Sequence, residues 1–186
     1  MDPISAAIEA LEVYLRAAID PAALPEGYRG LVVREGWPEA DVPLSLHQGP
    51  LLTLTPAVDE GLRHGPVTVG SERLTDGSVL VTEKIGTVEL ELQLDLWVAY
   101  AEQLRAVMGV VDAALDAPTG PPGLWLSTAA GRPLNVDVLR HQRQPSAEGA
   151  GRGEWRATWT LRLRTDRVRQ RRGPALGALS VETTPS

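Results

Sequence analysis

The chain has 186 residues and a formal net charge of −6, enough length for one domain with a sizeable hydrophobic core. It contains no cysteine, which excludes disulfides, thiolate metal sites and a thiol nucleophile, and fits a cytosolic life. No apolar run approaches the roughly 20 residues of a membrane-spanning helix, and no basic segment followed by an apolar one opens the chain, so neither a span nor a signal peptide is expected.

Asp2 and Pro3 predict a helix start, with Asp as N-cap and Pro in the first turn. Ile4, Ile8, Leu11, Leu15 and Ile19 form the apolar stripe of that helix, which Asp20-Pro21 ends. After a loop, residues 31–34 read as a short strand. Residues 35–48, with Gly36, Pro38 and Pro43, read as irregular, and 51–55 as a second strand. Residues 58–84 read as an excursion. Short strands at 67–69 and 79–82 flank a polar tip of Glu72, Arg73, Asp76 and Gly77, and this hairpin is expected to protrude from the body.

Two periods then meet. Val88, Leu90, Leu92, Leu94, Leu96 and Val98 alternate with Thr87, Glu89, Glu91, Gln93, Asp95 and Trp97, giving a strand with one apolar face. Residues 87–97 would span roughly 36 Å, about twice a typical strand. Tyr100, Leu104, Val107, Met108, Val111 and Leu115 follow at helical spacing, so a second helix is expected over 99–116. Beyond a turn-rich loop at 118–123, residues 124–126 read as a short strand or an extended anchor, and 134–139 as the next strand, with Leu134, Val136 and Val138 opposite Asn135, Asp137 and Leu139. A glycine-rich connection at 145–153 precedes a strand at 155–164. There Trp155, Ala157, Trp159, Leu161 and Leu163 oppose Arg156, Thr158, Thr160, Arg162 and Arg164. Residues 173–186 read as a tail without its own fold. The expected architecture is α+β: a single domain over 1–172, with one mainly antiparallel or mixed sheet, two helices on one face and a protruding β-hairpin. Leu11, Leu15, Leu92, Leu94, Leu104, Val111 and Trp159 are its expected core.

Charge is unevenly distributed. Residues 132–172 hold eleven arginines against Asp137, Glu148, Glu154 and Asp166, a net +7, whereas residues 1–131 carry −12. Two rows stand out: Glu89, Glu91 and Asp95 on one strand, and Arg156, Arg162 and Arg164 on another. They can pair across strands of one sheet, or meet phosphates or a neighbouring subunit. Trp97 falls on the polar side of its strand, which suits an edge anchor or an interface. These seven residues are the candidate partner interface.

Catalytic signals are sparse. His47, His64 and His141 have no second ligand at metal-binding spacing. No glycine-rich phosphate cradle and no nucleophile elbow is found. The carboxylate row lacks the pocket that acid/base chemistry needs. No enzyme activity, metal or cofactor is expected.

The layout itself carries a resemblance. An N-terminal helix precedes strands. A long strand then runs into a helix in GTVELELQLDLWVAYAEQLRAVMGVVDAAL, and a later strand reads WRATWTLRLRT. Asp95-Leu96-Trp97 ahead of the helix is its most characteristic piece. This order resembles the tail terminator, or tail completion, proteins of tailed bacteriophages and related phage-like particles. The resemblance implies a virion structural protein, assembled in the host bacterial cytoplasm, that forms a homo-oligomeric and typically hexameric ring on the tail tube. Its implied partners are the tail tube protein and a neck or head-completion protein, with DNA passing the lumen unrecognised. The competing expectation is another neck component, such as a head-completion or head-tail connector protein.

Overall fold

A computed structural model describes residues 2–26, 28, 30–36, 46, 49–116, 123–144 and 155–173, with the side chains at 58–60, 62, 64 and 142–144 left aside. Expectations for most of the 35–48 loop, the 118–122 and 145–153 connections, the 174–186 tail, His47 and the His64 side chain lie outside the described residues.

The elements are α1 (Pro3–Ala18), a 3₁₀ turn (Pro21–Ala23), β1 (Val32–Glu35), β2 (Leu51–Arg73), β3 (Val79–Val98), α2 (Ala101–Leu115), β4 (Leu124–Ser127), β5 (Pro133–Gln144) and β6 (Trp155–Gly173). The strands form one mixed sheet in the order β1-β2-β3-β6-β5-β4. β1 runs parallel to β2 with Val33 opposite Leu52. β4–β5 and β5–β6 are antiparallel, with Val136 opposite Leu163. β3 and β6 are also antiparallel, because Asp95 meets Arg156 while Glu89 meets Arg164, in opposite chain order.

The chain divides into two compact units. The first, Met1–Glu60 and Val88–Thr165, holds the core and both helices. Ile8, Leu11 and Leu15 of α1 and Val107, Met108 and Val111 of α2 belong to one cluster with Leu90, Leu92, Leu94 and Leu96 of β3 and Trp159, Leu161 and Leu163 of β6. Both helices therefore lie on the same apolar sheet face, and each strand contributes every second side chain to it. Asp2 caps α1 by accepting from the Ser5 amide at 3.3 Å. The Tyr14 hydroxyl donates to the Ala114 carbonyl at 2.7 Å, tying the helices together, and the Arg16 guanidinium donates to the Val33 carbonyl at 2.7 Å, tying α1 to β1. Burial raises the Tyr14 pKa above its ordinary value.

The second unit comprises Gly61–Thr87 and Asp166–Ser186. Among its described residues the only buried side chains are Val79 and Glu83, so it has almost no apolar core.

Three expectations are corrected. The two short strands expected within 51–69 are one strand, β2. Pro56, Gly61 and Pro66 lie within it: β1 pairs with β2 only as far as Leu54, and an edge strand tolerates proline's missing N–H. Val138, expected to share a face with Leu134 and Val136, is 40 % exposed where those two are buried, because a register shift between Val138 and Arg140 disrupts the alternation. Trp97 is 6 % exposed, clustered with Leu46 and Leu51. It is no open edge anchor: the sheet face away from the helices has a small apolar centre of its own.

Candidate functional site

The two charged rows meet on the sheet face opposite the helices. β3 and β6 are neighbours, so strand pairing sets carboxylates beside guanidiniums. Arg164 Nε donates to Glu89 Oε1 at 2.8 Å, and Arg164 Nη1 lies 3.5 Å from Asp137 Oδ2 on β5. Arg162 Nη2 lies 3.6 Å from Glu91 Oε1, and Arg162 Nε 4.0 Å from Glu89 Oε2. The result is a ladder within one chain. Of the two pairings open from the sequence, the structure contains the cross-strand one.

The ladder ends in a dry cluster. Asp95 is 0 % exposed. Its Oδ1 accepts from Arg156 Nε at 2.8 Å and from the Thr158 hydroxyl at 2.6 Å, Arg156 Nη2 lies 2.8 Å from the same oxygen as an ion pair, and Oδ2 accepts from the Gln93 amide at 2.8 Å. The Arg156 guanidinium also sits 5.1 Å from the Trp97 ring centroid, a cation–π distance. Trp97 Nε1 donates to the Thr53 hydroxyl at 3.2 Å. A buried carboxylate is tolerable only with such partners. All seven residues singled out from the sequence thus occupy one face, but Asp95 and Trp97 are covered by the chain itself.

Sequence reasoning missed Gln93, Thr158 and Asp137 as partners, and missed a second brace. In the second unit Glu83 accepts from Arg169 Nη2 at 2.7 Å and from Arg171 Nε at 2.9 Å. Lys84 pairs with Asp166, and Arg172 with Asp76. The run of alternating arginines at 167–171 was the available signal. The Arg169 hydrogen bond, reinforced by the Arg171 charge, holds the Glu83 pKa below its ordinary 4.5. A carboxylate with a depressed folded pKa stabilises the fold above its unfolded pKa, and loses that contribution as pH falls through the folded one. Amide exchange at 79–85 and 166–172, corrected for intrinsic rates, should therefore be slow at pH 7 and accelerate well below pH 4.5. Equal protection at pH 7 and pH 3 would show that Glu83 does not hold these strands.

His141 is a structural residue. Its ring stacks on Trp159 at 4.7 Å and 9°, and Nδ1 lies 3.8 Å from Asp112 Oδ1, which also accepts from Trp159 Nε1 at 2.8 Å. Among the described residues no group of three or more His, Asp or Glu side chains is placed to hold a metal ion. The chemistry this face supports is ionic cross-bracing of β3, β6 and β5. Exposed pairs are worth about 0–1 kcal/mol each, so reversing Arg162 and Arg164 to Glu should cost about 1–2 kcal/mol in calorimetry. Adding Glu89→Lys and Glu91→Lys should restore part of it. A melting temperature unmoved by the reversal would deny the ladder any stabilising role.

No family model and no curated protein matches the chain. Among solved structures it is similar to a chain from "Virion of native gene transfer agent (GTA) particle", at 16 % identity and a TM-score of 0.43, over 86 % of this chain and 94 % of that one.

Proposed function

We propose that this chain is a structural subunit of a phage-like particle: a ring-forming protein that caps the end of a tail tube, stops its polymerisation and offers the head or neck an attachment surface. The observation that carries this reading is the passage from β3 into α2. A strand of 20 residues ends at Val98 and the helix begins at Ala101. With α1 ahead of it, β6 behind it and one core beneath, this is the element order of the tail terminator proteins that the sequence resembles. The surface suits assembly better than catalysis. The ladder carboxylates are engaged by arginines, while Val67, Val69, Tyr100 and Trp125 remain exposed, and exposed apolar groups mark contacts when they gather. The first unit carries nineteen acidic and eleven basic residues, a net −8, which suits a wall that DNA passes without binding. The partners are further copies of the chain, the tube protein and a neck protein, and the protein works without catalysis, metal or cofactor.

Electron microscopy of particles from a strain lacking the gene tests the reading. Overlong tails support it. Tailless heads that leak DNA would assign the protein to the head-completion or connector class, and normal particles would remove it from assembly altogether. Elemental analysis of the purified protein should find no stoichiometric zinc or iron; finding either would overturn the metal-free assignment.

A further inference from the structure

The second unit exposes apolar side chains where it has little core to support them. Its hairpin register follows from two contacts: the Leu74 amide donates to the Ser78 carbonyl at 2.8 Å, and a Cβ at Gly70 would lie 4.0 Å from Thr82 Cβ. Gly70 and Thr82 therefore share one face, and the odd-numbered residues of β2 share the other. That other face presents Val67 and Val69, 56 % and 55 % exposed, between the exposed residues Arg63 and Arg73. Neither arginine has an ion-pair partner among the described residues. An apolar centre framed by exposed cations is the composition of a contact surface, with an apolar middle and a charged rim.

We infer that the face formed by Arg63, Val67, Val69 and Arg73 docks on the acidic body of a second copy of this chain. The inference rests on the ring-forming reading above and names the surface through which copies join. Charge complementarity selects the occupant. Residues 61–87 and 166–173 hold seven basic and four acidic groups, a net +3, against the −8 of the first unit. The outer side of α1 carries an acidic counterpart: Val13, 60 % exposed, lies one helical turn from the exposed residue Glu9, on the same side of the helix. A contact between two unlike patches is heterologous, and heterologous contacts close into rings when the rotation allows. Apolar side chains supply the affinity, and the charges fix partner and orientation.

Sedimentation velocity on the full chain tests this with Val67→Glu/Val69→Glu and, separately, Arg63→Glu/Arg73→Glu. Both change exposed side chains, so the melting temperature should stay at the wild-type value. The valine variant should raise the self-association constant, expressed as Kd, about a hundredfold. The arginine variant should weaken association at low salt and be partly rescued by Glu9→Arg in the same chain. An oligomer that survives both variants overturns the inference and leaves the ring reading intact. So does an intact oligomer whose variants lose only the tube protein, since the face then serves that partner. A wild-type chain that stays monomeric also overturns it, and the tail-capping reading then stands or falls on tail length in the deletion particles.

Discussion

Replacing Arg156 by alanine should destabilise the protein by about 3–5 kcal/mol, the usual cost of stranding one member of a buried ion pair. Asp95 is fully buried and is met by Arg156 through a hydrogen bond from Nε and an ion-pair contact from Nη2. Thr158 and Gln93 remain, but they are neutral donors and cannot offset a charge. The guanidinium also covers the Trp97 ring, so its removal opens the small cluster of Leu46, Leu51 and Trp97. The cost belongs to the stranded charge and not to the pair as such. Asp95→Asn combined with Arg156→Met should therefore be far milder than the sum of the single changes, because the amide still accepts from Thr158 and the thioether still covers Trp97. Urea unfolding of the two single variants and the double gives the coupling. A cost below about 1 kcal/mol for Arg156→Ala would mean that Asp95 is better solvated than the geometry shows.

The elements whose own periodicity decides their structure were legible in the sequence. α1 was read from the stripe Ile4 to Ile19 and is Pro3–Ala18; α2 was expected over 99–116 and is Ala101–Leu115. The alternation of β3 gave both of its faces correctly from Val88 to Leu96, because Leu90, Leu92, Leu94 and Leu96 share one core cluster with both helices. What a local pattern cannot carry is which strand lies beside which. Glu89, Glu91, Asp95 and the three arginines were visible as rows, but their pairing depends on β6 lying next to β3, two strands that α2, β4 and β5 separate in the chain. Trp97 failed for a related reason. Its position in the alternation is polar, and only the approach of Leu46 and Leu51 makes that position apolar. Glu83 was passed over because its partners lie more than 80 residues away. β2 was cut short because proline and glycine punctuate a strand only where both edges must pair.

Leu94→Ala should cost about 2–5 kcal/mol, the range for emptying a fully buried leucine site. The side chain is 0 % exposed, at the centre of the β3 row that runs beneath both helices, with Leu92 and Leu96 on either side equally inaccessible. Three packed leucines in a row leave little freedom to collapse into a void, so the cost should fall in the upper half of that range. The comparison that isolates burial is Val69→Ala. It also removes methyl groups from a long strand, but at a position 55 % exposed, and it should cost under about 0.5 kcal/mol. The two variants separate this cavity term from the electrostatic one at Arg156, because a cavity cannot be rescued by a second charge change whereas the stranded carboxylate can. If Leu94→Ala and Val69→Ala shift the urea midpoint equally, the apolar row of β3 does not face the helices, and the core assignment that links β3 to α2 fails with it.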